Sequence, residues 1–153
     1  PLPPARTADE TGWEWLLGEL WEAILDMGRS GLLSEAEQRR LTIPIGLRTL
    51  EEIEAPFAEH GRAADLEIEH AEIVRVPDPF WEDFRRTGDA GSFARRHADV
   101  MRAWSGPAIA GLIEAGRSVT LLDELFARYS VRLAAAPQEH RPYLAVMLMR
   151  RRL

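Results

Sequence analysis

Gly31–Gly61 reads GLLSEAEQRRLTIPIGLRTLEEIEAPFAEHG, and the fold turns on how it is read. Ser34 with Glu37 and Thr49 with Glu52 fit capping boxes, in which a hydroxyl takes the N3 amide while the carboxylate reaches back. Between them Thr42-Ile43-Pro44-Ile45-Gly46 cannot be helical, because Pro44 pushes Ile43 to extended geometry and Gly46 marks a turn. The stretch therefore predicts a helix exit, a short capped helix, an extended segment and a second capped helix.

On the N-terminal side, the Pro-rich Pro1–Arg6 reads as a linker or the ragged start of a fragment. Thr7 and Glu10 fit a third capping box, and Trp13, Leu16, Leu17, Leu20, Ile24 and Met27 then recur every three or four positions. That spacing predicts one helix ending near Gly28 or Gly31. Trp15 and Trp21 lie off the main stripe; core packing and a second partner surface are both open readings for them.

On the C-terminal side, a helix over Leu50–His60 would bury Leu50, Ile53 and Phe57, with Pro56 loosening its last turn and Gly61 ending it. Ala64–Val76 reads as a strand whose hydrophobic phase slips midway, the mark of a bulge or of burial on both faces. Asp78 would cap a short helix carrying Phe80, Trp81 and Phe84. Ser92 would cap the next, with Phe93, His97, Val100, Met101 and Trp104 on one face. Pro107 is expected to break or kink it, with Ala108–Ala115 continuing in a new direction. Thr120 with Asp123 would start a last helix. Tyr143–Met149 is apolar almost throughout, the pattern of a buried central strand, and ends in Arg150-Arg151-Arg152. Two strands alone do not make a stable sheet.

The 153 residues fit one domain by length, and at 46% hydrophobic they can bury a core. A formal charge of −6 argues against generic nucleic-acid binding. All 19 basic residues are Arg, so a Schiff-base or P-loop lysine is excluded. The absence of Cys removes disulfides, thiolate nucleophiles and Cys–zinc sites and suits a cytoplasmic setting. His60, His70, His97 and His140 show no metal-ligand spacing, and His97 on an apolar face reads as a satisfied core histidine. Gly88–Gly91 and Gly106–Gly111 do not follow strands, so neither reads as a cofactor loop. No G-x-S-x-G elbow is present.

Gly31-Leu32-Leu33-Ser34-Glu35 running into Thr42-Ile43-Pro44, then Thr49-Leu50-Glu51-Glu52, resembles the SABATH family of carboxyl methyltransferases. Met101-Arg102-Ala103, Leu121–Tyr129 and a terminal strand ending in basic residues follow in the same order. The resemblance covers nearly the whole chain and matches only the C-terminal part of such an enzyme. It implies an α/β fold, mostly helical here. A helical cap would join the last two antiparallel strands, 64–76 and 143–150, of a Rossmann-like methyltransferase sheet, with residues 1–153 as one C-terminal portion. It implies that S-adenosylmethionine belongs to the full enzyme, with no cofactor residues in this chain. The substrate would be a small apolar or aromatic carboxylic acid.

Carried over by resemblance, Leu16, Leu17, Met101, Trp104 and Tyr143 match substrate-pocket positions, no residue is catalytic, and Leu17, Met101, Trp104 and Tyr143 are expected to converge on one cavity. The free edge of Tyr143–Met149 is expected to be covered by an N-terminal methyltransferase half, a swapped segment or a second copy of the chain. The competing reading is a non-enzymatic helical module that binds an apolar ligand or a protein partner.

Overall fold

The computed structural model describes residues 4–7, 10–41, 46–58, 65–114 and 116–151. It divides into two compact units: a helical one of Glu14–Pro44 and Asp78–Glu139, and a sheet unit of Pro1–Trp13, Ile45–Pro77 and His140–Leu153.

In the helical unit, α1 (Glu14–Arg29) buries Leu16, Leu20, Ala23, Ile24 and Met27, one face of a helix. The helix begins later than the Thr7–Glu10 spacing suggests. Thr7 Oγ1 does accept the Glu10 amide at 3.0 Å, but α1 begins only at Glu14. Gly12 then takes φ +75°, where an added Cβ would lie 2.2 Å from the Arg141 carbonyl oxygen. Trp13 thus lies outside the helix and meets His140 edge-on at 4.7 Å, both within the sheet unit. Trp15 stacks on Phe93, whereas Trp21 faces solvent rather than the core.

The α1 exit is a left-handed Gly31 at φ +72°, with the Leu32 amide donating to the Met27 carbonyl. The short helix α2 (Glu35–Arg40) carries the expected box: Ser34 Oγ accepts the Glu37 amide at 3.2 Å, and Glu37 Oε2 accepts the Ser34 amide at 2.9 Å. Thr42–Ile45, read above as extended, lie outside the described residues.

Asp78 caps α4 (Pro79–Thr87), its Oδ1 accepting the Phe80 amide at 2.9 Å. The next helix, α5 (Ala90–Ala110), is capped by Asp89 instead of Ser92, whose amide donates to Asp89 Oδ1. Pro107 does not interrupt it. A proline removes one interior hydrogen bond, and here Met101, Ser105 and Ile109 stay buried along one continuous face across that defect. Of the segment Ala108–Ala115, read above as a helix in a new direction, residues 108–110 belong to α5 itself and residues 111–113 turn; Ala115 lies outside the described residues. The last helix, α6 (Ser118–Ala135), starts before Thr120, after an Arg117 that makes no side-chain cap bond. Asp123 is drawn off to an ion pair with Arg102. Helix α6 packs along both α5 and α1, burying Leu121, Leu125, Phe126, Tyr129 and Leu133. Arg132 clamps α1 through Glu19 at 2.8 Å and Asp26 at 3.1 Å.

The sheet unit has the strand order β1-β3-β2, with β1 at Pro4–Ala5, β2 at Leu66–Arg75 and β3 at Tyr143–Arg151. The β2 and β3 segments run antiparallel from Leu66↔Arg151 to Arg75↔Tyr143, the pairing expected for them. A register shift between Ile68 and His70 accounts for the slip in hydrophobic phase. Helix α3 (Leu50–Glu54) has its Thr49–Glu52 capping box but stops well before His60. Pro56 turns the chain into a 3-10 segment, Ala55–Phe57, and His60 lies outside the described residues. Ala5, Ile53 and Ala145 are buried together, with Ile73, Tyr143 and Met147 packed around them. Among the described residues β1 meets β3 at Tyr143 and Leu144, and Ala5 also bridges Arg48 in parallel, so β3 is central there and an edge from Ala145 onward.

Candidate functional site

The five residues carried over by resemblance occupy different environments. Leu16 (2% exposed) and Met101 (1%) are sealed in the helical core. Leu17 is half-buried on α1. Trp104 is 44% exposed, on the outer face of α5 rather than with the core residues of that helix. Met101 and Trp104 thus part company within one turn. Val100, expected on the same face, is also exposed. Tyr143 is half-buried in the sheet unit, where its hydroxyl donates to Glu10 Oε2 at 2.9 Å. Arg75 binds the same carboxylate oxygen at 3.3 Å and sits 5.3 Å from the Tyr143 ring centroid.

Two features of the helical unit escaped sequence reasoning. The first is a buried polar pair. His97 Nε2 lies 3.1 Å from Asp78 Oδ2, and both side chains are almost wholly buried. Phe80, Phe93 and Trp15 ring the imidazole edge-on at 4.9, 4.7 and 6.0 Å. One aspartate therefore caps α4 and anchors α5 together; the sequence offered only the cap. His97 is a satisfied core histidine, as its place on an apolar face suggested.

The second is an apolar stripe on the solvent side of α5, made of Val100, Ala103, Trp104, Pro107 and Ala108. Its i, i+3, i+4, i+7, i+8 spacing was legible. What was not legible is that α6 packs along α5 and leaves these residues exposed.

Electrostatics elsewhere are structural. Hydrogen bonds from the Ser34 amide and hydroxyl hold the Glu37 carboxyl below the usual range, with Arg117 adding to the effect. Arg117 spans Glu37 Oε1 at 3.1 Å and the Leu32 carbonyl at 2.7 Å. Burial pushes the Tyr129 phenol well above its ordinary value, reinforced by Glu19. Among the described residues there is no cluster of His, Asp and Glu able to hold a metal ion, and no helix long and apolar enough to cross a membrane. Gly88 ends α4, Gly91 lies in the first turn of α5, and Gly106 is inside α5; none of them follows a strand.

No protein-family model matches the chain. It is similar to gibberellic acid methyltransferase 1 of Arabidopsis thaliana, at 29% identity over 123 residues. The likeness is to a methyltransferase. The match takes in 78% of this chain and 30% of that protein, so the chain spans well under half the length of its relative.

Proposed function

We propose that the chain is the C-terminal, substrate-side part of an S-adenosylmethionine-dependent SABATH-like methyltransferase acting on the carboxylate of an apolar acid. The observation that carries this reading is the likeness to gibberellic acid methyltransferase 1 over most of the chain, which agrees with the ordered resemblance running from Gly31 to the terminal strand. A carboxyl group with a pKa near 4 is already ionised at neutral pH, so the acceptor oxygen needs no general base. The task left to a substrate-side module is to position the acid and exclude water. Such a module carries no catalytic motif. In this reading Leu16, Leu17, Met101, Trp104 and Tyr143 are its substrate-side residues, with accessible surface at Leu17, Trp104 and Tyr143 and supporting packing at Leu16 and Met101.

The cofactor would be held elsewhere in the longer protein, because the glycines described here do not suit it. The β3 edge from Ala145 to Arg151 would seat a strand of that cofactor half, giving the helical cap and its two long strands the place of the last part of a Rossmann-like sheet. An edge of this length with apolar side chains recruits a neighbouring strand.

The test is methyl transfer. The protein expressed from its full reading frame, given methyl-labelled S-adenosylmethionine and a panel of carboxylic acids, should form base-labile methyl esters. Label appearing on hydroxyls or amines, or on no acid in the panel, would overturn the assignment.

A further inference from the structure

Within the helical unit, an open cavity of about 490 Å³ lies between α2 and the connection from α5 to α6. Its wall carries four charged side chains, Glu37, Arg40, Glu114 and Arg117. Two of them are already engaged. Glu37, 4% exposed, accepts the Ser34 amide and hydroxyl on Oε2 and Arg117 on Oε1. Arg117 also donates to the Leu32 carbonyl at 2.7 Å. That bonded set makes one part of the wall fixed and internally neutral. The other two are available. Arg40 donates through Nε to the Ala36 carbonyl, and its guanidinium has no carboxylate partner among the described residues. The Glu114 carboxylate has no donor among the described residues either, although its backbone carbonyl takes the Arg117 amide. Arg40 and Glu114 thus line one cavity without pairing with each other. The smaller cleft between α4 and α5, about 190 Å³, differs: its two arginines, Arg86 and Arg96, both bind Asp83.

We infer that this cavity binds a free α-amino acid with a short apolar side chain, its carboxylate on Arg40 and its ammonium on Glu114. The charges select the ligand class. A simple anion drawn to Arg40 would share the cavity with the Glu114 carboxylate, and a simple cation drawn to Glu114 would share it with the Arg40 guanidinium; each carries an uncompensated repulsion. A ligand with one charge of each sign satisfies both groups through charge-assisted hydrogen bonds. Leu112, half-buried, and Ile113, buried, supply the apolar part of the wall for the side chain. The volume exceeds that of a single amino acid, so the ligand binds with water around its polar end. The inference does not depend on the methyltransferase reading.

The experiment is calorimetric titration of the protein expressed from its full reading frame. The probes are L-valine and L-leucine, together with 4-methylpentanoate and 3-methylbutylamine, which keep the leucine side chain and one charge each. Arg40→Gln and Glu114→Gln each remove one charge at an exposed position and should leave the melting temperature unchanged. L-Leucine should bind one-to-one with Kd on the order of 1 mM or tighter. Both single-charge probes should bind the parent at least about tenfold more weakly, and both variants should bind L-leucine at least about tenfold more weakly, the scale of one lost charge-assisted hydrogen bond. No binding of either amino acid at about 20 mM would overturn the inference. So would 4-methylpentanoate binding as well as L-leucine, which would make the cavity a plain anion site. L-Leucine affinity unchanged in both variants would place the amino acid elsewhere, and competition between L-leucine and S-adenosylhomocysteine would place it in a cofactor site; either result overturns the assignment to this cavity.

Discussion

The helical and sheet units are built from similarly apolar sequence, yet they finish their packing differently. The helical unit seals a large core, with Leu16, Leu20, Ile24, Met27, Phe93, Met101, Ile109, Leu125, Tyr129 and Leu133 all buried, while Trp21, Val100, Trp104, Val119 and Val131 remain exposed on its outside. The sheet unit buries Ala5, Ile53 and Ala145, with Ile73, Tyr143 and Met147 only partly covered. Its central strand leaves Leu148 57% exposed and Met149 41% exposed. A helix satisfies its own backbone and needs one covered stripe, so three long helices with short caps can close a core among themselves. A strand needs neighbours on both edges and, when apolar on both faces, layers above and below. The difference is that the helical unit closes a core of large side chains, whereas the sheet unit buries only a small cluster and leaves a β3 edge from Ala145 onward among the described residues.

The largest effect should come from the helical core. Leu125→Ala should destabilise by about 2–5 kcal/mol, the usual range for a buried Leu with partial collapse of the cavity. Leu148→Ala, on the exposed part of β3, should stay within about 0.5 kcal/mol. Urea denaturation of the two variants checks the contrast, and comparable losses would break it.

Next in size is the buried pair. His97→Leu leaves the buried Asp78 carboxyl without its imidazole partner, and leaving a buried polar group unsatisfied costs roughly 1–3 kcal/mol. Because Asp78 also caps α4, thermal melting of Asp78→Ala should show a loss at least as large. A variant at either position as stable as the parent would remove this link from the account of the helical unit.

Smaller effects belong to the α2 cap. Glu37→Gln should cost about 1 kcal/mol at pH 7, the scale of a lost cap. The Glu37 carboxyl is held below its unfolded value by Ser34 and then Arg117. Its contribution is therefore present above the unfolded value of about 4.3 and fades as pH falls through the lower folded value. The stability gap between parent and variant should narrow from pH 7 to pH 3, which paired denaturation curves would read directly. A gap that widens in acid contradicts the sign.

The sequence was most informative where chemistry is local. The Ser34–Glu37 and Thr49–Glu52 boxes, the Asp78 cap and the slip in β2 were legible because each depends on residues a few positions apart. The Thr7–Glu10 box was misread as a helix start because a left-handed Gly12 intervenes before Glu14, and nothing in the spacing reports the Arg141 carbonyl that crowds Gly12. Pro107 was misread for a similar reason: its local penalty is offset by burial contributed by α6. In the candidate site, Met101 and Trp104 read alike at helical spacing, and only the packing of α5 on α6 separates core from surface. The His97–Asp78 pair joins residues 19 apart, which periodicity cannot see.

The most direct measurement is hydrogen exchange along β3. In the 153-residue chain alone, the Ala145–Arg151 amides that do not bond to β2 should exchange as freely as loop amides. In the protein expressed from its full reading frame the same amides should be protected to nearly the level of the helical core. Equal and fast exchange of those amides in both forms would mean that no strand joins this edge, contradicting the claim that the chain completes a methyltransferase sheet.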